Sequence, residues 1–321
     1  MRTTTTPETA AAAPEATLPP AAPPKDEATP GLALSFLPAV LAGAWLIAKT
    51  SWFWSHNPDL QFGWIVVMLC GYLLWEAWEH RPPVRLRLEW PAVALMAVAF
   101  PGLFLVQIYQ AAFGTTAASV NVLAAAVMAV IAANVHYVFG LAGVRRFAFG
   151  CLFLWIALPM PSAIYNPLVG SLQSWVADIN VEVLRLLGVP AEKLGSLIRL
   201  PHCVVGVDEA CSGIRSLQST IMATLFIGAL TLKRAGLRIF LLVAGAALAV
   251  LGNVIRSLFL SLTAHSRGPE ALKAYHDTAG WSILVFTVAG VAVLAWLFGR
   301  LEARLTSFRL EESPSVPSTL V

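Results

Sequence analysis

The chain has 321 residues, 58% of them hydrophobic and only 12% charged, with a mean hydropathy of +0.73. That composition excludes a soluble globular domain and places the protein in a bilayer, as an all-α polytopic helix bundle. The formal net charge of +3 is scattered over short loops and forms no basic patch, so nucleic acid is not an expected partner.

In chain order, residues 1–31 are rich in Thr, Ala and Pro and too poor in large apolar side chains to fold. They read as a disordered cytoplasmic tail; no basic start leads directly into an apolar core, so they are not a signal peptide. Eight candidate spans of about 17–25 residues follow, at 32–48, 62–78, 91–113, 117–141, 147–165, 212–232, 238–264 and 281–299. Residues 32–299 thus make one membrane domain, and 300–321 a C-terminal tail. Within the long connection 166–211, Leu168, Leu172, Trp175, Ile179, Val183 and Leu186 recur every three or four residues with acids between, predicting an amphipathic helix over 167–188 along the outer interface. Residues 197–207 carry branched apolar positions and predict a short extended segment.

Orientation follows from the basic residues in short loops. Arg81, Arg85 and Arg87 follow the second span, Arg145 and Arg146 the fourth, Lys233, Arg234 and Arg238 the sixth, and Arg300, Arg304 and Arg309 the eighth. The other short loops carry only Lys49, Arg267 and Lys273, and the long connection 166–211 sets Arg185, Lys193 and Arg199 against Asp178, Glu182, Glu192, Asp208 and Glu209. Both termini are therefore expected in the cytoplasm of an inner-membrane protein, with the 166–211 connection outside.

Three polar clusters fall on that outer side. The stretch Asp208-Glu209-Ala210-Cys211-Ser212-Gly213-Ile214-Arg215-Ser216 sets a cysteine between acids and an arginine where a loop becomes a span. Arg215 follows Cys211 by one helical turn, and a nearby cation favours the nucleophilic thiolate. Arg256 lies within the seventh expected span, where a charge costs at least about 2.5–3.5 kcal/mol and marks a functional position by default. Asn253, Ser257 and Ser261 near it suggest a polar face turned into the bundle rather than a snorkelling cation. His276 and Asp277 fall in the expected loop before the eighth span; His265, His56 and His202 are its rivals on the outer side. Cys70 and Cys151, inside apolar runs, read as small fillers, and His80 and His136 as interfacial or packing residues. A cysteine, an arginine and a histidine together fit acyl transfer at a membrane surface.

The ordered set Glu209-Ala210-Cys211-Ser212-Gly213-Ile214-Arg215, then Asn253-x-x-Arg256, then His276 with Gly280, resembles the exosortase/archaeosortase family of membrane cysteine transpeptidases. His56-Asn57-Pro58-Asp59 with Gly63, Leu158-Pro159-Met160-Pro161, and Leu186-Leu187-Gly188-Val189-Pro190 extend the likeness over about residues 50–300. The resemblance implies an exosortase-type catalytic domain at 32–299 that needs no metal or cofactor. Its substrates would be exported proteins carrying a C-terminal PEP-CTERM-like signal: a short motif, one transmembrane helix and a basic tail. It implies Cys211 as nucleophile, Arg256 as oxyanion partner and His276 as general acid and base. Glu209, Ser212, Gly213, Arg215 and Asn253 would be supporting or substrate-binding residues. The expected partners are those substrates, the lipid bilayer, and a glycan or lipid acceptor.

Two other classes stay open on the residues alone. Cys203 lies eight residues before Cys211, and a pair of the two would suggest a thiol-disulfide oxidoreductase. A permease would use Arg256 as a substrate-binding cation, although the chain offers no internal repeat for alternating access. His202, Cys203 and Cys211 match no standard zinc spacing.

Overall fold

The protein is described as a computed structural model over residues 30–206 and 213–311. The expected disordered tail lies outside the described residues up to position 29, as does the chain end beyond 311. Helices α1 (Pro30–Ser35), α2 (Leu37–His56), α3 (Gly63–Glu79), α4 (Trp90–Phe113) and α5 (Ala117–Phe153) come first, with a 3-10 turn Pro58–Leu60 between α2 and α3. A second 3-10 turn, Leu154–Ala157, leads to α6 (Ser162–Leu186). Strands β1 (Glu192–Leu194), β2 (Leu197–Arg199) and β3 (Val204–Gly206) form an antiparallel sheet in sequence order, with Glu192 opposite Arg199 and Ile198 opposite Val205. Helices α7 (Gly213–Thr231), α8 (Ala235–Arg267) and α9 (Pro269–Glu311) complete it.

Five helical stretches among the described residues are long and apolar enough to cross a bilayer: Pro58–Glu79, Trp90–Phe113, Ala117–Ala157, Ala235–Arg267 and Thr278–Leu305. The protein is an all-α polytopic membrane protein, with five such stretches where hydropathy alone predicted eight spans. Part of the difference lies in α5. At Gly140 the backbone turns to φ 69° and ψ −165°, a conformation open mainly to glycine. Beyond it the chain doubles back: the Phe139 and Phe147 rings stack at 5.8 Å, and the Asn121 side-chain amide donates to the Pro159 carbonyl at 2.7 Å. In a straight helix two residues 38 apart would be separated by roughly 57 Å. Ala117–Ala157 is thus a two-armed helical hairpin.

Two of the four packed regions among the described residues position the site. Leu46 and Trp54 of α2, Val66 and Leu73 of α3, and Val120, Leu123 and Val127 of α5 fill the first. The second joins Val176, Val181 and Leu184 of α6 to Ile198 and Val205 of the sheet, Leu260 and Ala264 of α8, and Ala279 of α9. The sheet and α6 therefore cap one end of α8 and α9, called here the sheet end. Because lipid is as apolar as leucine, the membrane helices associate through close approach of small residues. Gly245 of α8 faces Thr224 of α7, Gly228 of α7 faces Leu241 of α8, and Gly252 of α8 faces Ile283 of α9.

At the opposite end, Arg146 pairs with Glu76 at 3.0 Å, and the Arg85 N–H donates to the Val138 carbonyl at 2.8 Å. There too the buried Glu302 carboxylate accepts the backbone N–H groups of Lys233 and Arg234, at 2.9 and 2.7 Å, just before α8 begins. Negative charge at a helix N-terminus is favoured by its unsatisfied N–H groups and dipole.

The amphipathic helix starts earlier than expected, at Ser162 rather than 167, and it packs on the protein through a face beside the expected stripe. Val176, Ala177, Asn180, Val181 and Leu184 are buried against the protein, whereas Leu168, Trp175 and Leu186 of the predicted stripe are exposed. Both faces are apolar enough to carry a stripe, so periodicity alone could not say which one meets protein.

One close approach near the sheet end has a measurable consequence. A Cβ on Gly63 would run into the Trp54 ring, which is buried and whose N–H donates to the Ala157 carbonyl at 2.7 Å. We predict that Gly63→Ala displaces the ring and lowers stability by about 1–3 kcal/mol. A thermal unfolding midpoint in detergent equal to that of the native protein would contradict this packing.

Candidate active site

The loop between α2 and α3 is built to aim one carboxylate. The Asn57 side chain accepts the Asp59 N–H at 2.9 Å, and Pro58 at the first position of the 3-10 turn supplies the required φ. Asp59 Oδ1 then receives Arg215 Nε at 3.0 Å and Nη2 at 2.7 Å, across 156 residues of sequence. Their side chains are 30% and 49% exposed, and exposed ion pairs contribute only about 0–1 kcal/mol. The pair matters for position more than for stability: it fastens the start of α7 to the first half of the bundle. Tyr165 stands nearby. Burial first, and then the Asp59 charge, hold its hydroxyl above the ordinary tyrosine range, against an opposing pull from Arg215. It stays a neutral donor.

The other side of α7 faces α8 and α9. Thr224 meets Gly245 and Gly228 meets Leu241 in an antiparallel register. Carried three turns further, that register sets Gly213, the first residue of α7, level with Arg256 of α8. Across from them, a Cβ placed on Gly280 of α9 would lie 3.4 Å from Arg256 Nη2. Position 276 is one turn from Gly280 on the same face of α9, about 6 Å nearer the sheet end. Arg256 is 8% exposed and Asn253 4%. Both lie well inside α8, with Arg256 about 16 Å from its Arg267 end at 1.5 Å per residue. Ser257 and Ser261 continue the polar face, and Asn180 of α6 is fully buried in the adjoining packed region.

A cavity of about 530 Å³ opens at the same end. Asn57, Asp59, Tyr109, Tyr165 and Gln218 line it. Gln218 of α7 thus serves the cavity and Arg215, one turn before it, holds the lining Asp59, while Thr224 and Gly228 serve α8.

The family model for transmembrane exosortases matches residues 54–304, a span that runs from the Trp54 anchor through every element just described. The chain belongs to that family. No curated protein and no solved structure matches it.

Of the residues expected at the exosortase site, Glu209, Cys211 and Ser212 lie outside the described residues. Gly213 opens α7, Arg215 is paired with Asp59, and Asn253 and Arg256 are buried in α8. His276 requires a correction. It was expected in a loop, but its backbone lies within α9, because Gly268 ends α8 and Pro269 starts the next helix at once. The rival histidines separate by environment. His56 stacks on Trp52 at 4.9 Å and its ring bonds the Trp52 carbonyl at 2.8 Å. His265 belongs to the last turn of α8, and His202 is exposed beside the sheet.

Cys203 is a free thiol in the turn between β2 and β3, where its carbonyl accepts the Leu200 N–H at 2.8 Å. Burial pushes its pKa up, which disfavours the thiolate. Cys70 and Cys151 are also free, and Cys70 donates to the Gly150 carbonyl at 3.1 Å inside the bundle. Sequence reasoning gave no role to Asp59, Tyr165 or Gln218 in this exosortase. The available signals were an Asn-Pro-Asp turn directly before a span, and a glutamine one turn after Arg215 in α7.

Proposed function

We propose that this exosortase is a membrane cysteine protease and transpeptidase that cleaves C-terminal, PEP-CTERM-like sorting signals of exported proteins. One observation carries most of the weight: Gly213, two residues after Cys211, shares a level with the buried Arg256, which touches the helix face bearing Gly280 and position 276. The Cys211 thiolate would attack the scissile carbonyl carbon, forming a C–S bond. Arg256 would donate to the oxyanion of the tetrahedral intermediate, where a dry site makes such donors most effective. Collapse breaks the C–N bond, and His276 protonates the departing amine. A glycan or lipid nucleophile, or water, then attacks the thioester, gives its proton to His276 and returns the thiolate.

The cation distribution supports an outward-facing site in the inner membrane. Arg81, Arg85, Arg145, Arg146, Lys233, Arg234 and Arg238 belong to the end away from the sheet, and the positive-inside rule puts that end in the cytoplasm with both termini. On this reading α2, α3, α4, the two arms of α5, α7, α8 and α9 make eight crossings, and α6 lies in the outer interface with Trp175 and Leu186 toward lipid. The free, half-buried Cys203 weighs against a disulfide enzyme using Cys203 and Cys211.

The covalent step is directly testable. Enzyme mixed with a reporter carrying a C-terminal tripartite tail and quenched in acid should gain the mass of the cleaved reporter fragment on the Cys211 peptide. Hydroxylamine should remove it. Turnover with the fragment on another residue, or on none, would overturn the thioester route.

A further inference from the structure

The 530 Å³ cavity has no part in the bond-breaking chemistry above. Helix α7 stands between the two: Gln218, which lines the cavity, lies six residues from Thr224, about 120° around the helix, so the cavity wall and the face packed on α8 are different sides of one rod. Cys211 precedes that rod by two residues. A ligand in the cavity would therefore lie beside the chemistry and not within it.

We propose that this cavity binds the substrate tail as an extended peptide segment next to the scissile bond; this rests on the transpeptidase reading above. The lining offers both halves of what a peptide backbone presents. Gln218 lines the wall, and its Oε1 is buried without a hydrogen-bond partner among the described residues, an acceptor for an N–H. Buried polar atoms left unmatched cost about 1–3 kcal/mol, so a guest that supplies the donor recovers that amount on binding. The lining also holds donors for a guest carbonyl: the Tyr165 hydroxyl, held protonated by burial, and the amide of Asn57, whose oxygen is taken by the Asp59 N–H. Phe53, Leu60 and Pro161 supply apolar surface between these polar points, suited to alternating side chains. The volume falls within the roughly 300–1,000 Å³ of ligand sites and holds a few residues.

Charge decides against the other occupants. Among the described residues the charged one in the lining is Asp59, and the cation beside it, Arg215, is already committed to it. An anionic lipid headgroup or a phosphate-linked acceptor would meet a neutralised pair. An acyl chain would leave Gln218 Oε1 unmatched. A neutral extended peptide fits both conditions.

The experiment uses the full-length enzyme in proteoliposomes with a fluorescent reporter bearing a C-terminal tripartite tail. Gln218→Ala should raise KM for the reporter about tenfold, the loss of one buried hydrogen bond, and leave kcat within about twofold. Independently, a benzophenone amino acid in place of Tyr109, which is 43% exposed, should crosslink to the reporter segment flanking the cleavage site. It should do so even in a Cys211→Ala background that cannot process. An unchanged KM together with crosslinks only to lipid or glycan would overturn the assignment. Native processing through a Cys211 thioester in the same preparation would show that the transpeptidase reading survives that outcome.

Discussion

Cys211→Ala should abolish processing while the protein still inserts and accumulates. Loss of one small side chain two residues before α7 should not block insertion, whereas the proposed covalent route loses its attacking group. Loss of a nucleophile in a concerted set typically costs several orders of magnitude in kcat. The companion variant Cys203→Ala should retain at least half of native activity, because that thiol sits in the β2–β3 turn with a pKa raised by burial. Processing of a co-expressed tailed reporter, with membrane abundance followed in parallel, separates the two. Residual cleavage by Cys211→Ala above one-tenth of native would remove the cysteine mechanism. Equal losses in both variants, with a wild-type mass showing a bond between the two sulfurs, would restore the oxidoreductase alternative.

Membrane location and the key buried cation were legible in the chain, because both follow from single-residue energetics. A run such as that of α8 is apolar enough to insert whatever its neighbours do, and Arg256 stands out because the lipid environment penalises it directly. The extended segment before α7 was also legible: β2 and β3 fall inside the predicted 197–207. What stayed open depended mostly on partners distant in sequence. The apolar stripe of α6 was real, but which face the protein covers is set by Leu260, Ala264 and the sheet, not by α6 itself. The position of His276 was misread although Gly268-Pro269-Glu270 is a helix stop followed by a helix start, since the apolar window did not rise until Trp281. Asp59 was visible as part of a motif; its role required Arg215, 156 residues away. The α5 hairpin lay between these extremes. Arg145 and Arg146 announced a return to the basic end, while only the positive φ of Gly140 explains how the chain reverses without a loop.

Arg256→Lys should keep the charge and the fold yet lose most activity, by about 100-fold or more in kcat. Removing one oxyanion donor costs about 2.7–4 kcal/mol in enzymes of this general type. Lysine retains the charge but lacks the planar fork that fixes two donors in one plane. Arg256 Nη2 lies against Gly280, where a Cβ would stand 3.4 Å away in contact with it, so the guanidinium occupies a slot between α8 and α9. A flexible ammonium in that slot would stay charged but could not hold the same direction. Gly280→Ala tests the slot from the opposite side; it should lower kcat with a smaller change in KM, because it presses on the guanidinium and not on the cavity beyond α7. A permease cation or a snorkelling arginine would tolerate lysine. Near-native processing by Arg256→Lys, at matched membrane abundance, would therefore transfer the oxyanion role elsewhere, with Arg215 the next candidate. Because Arg215 is tied to Asp59, that case makes its own demand: Asp59→Asn would then have to change kcat.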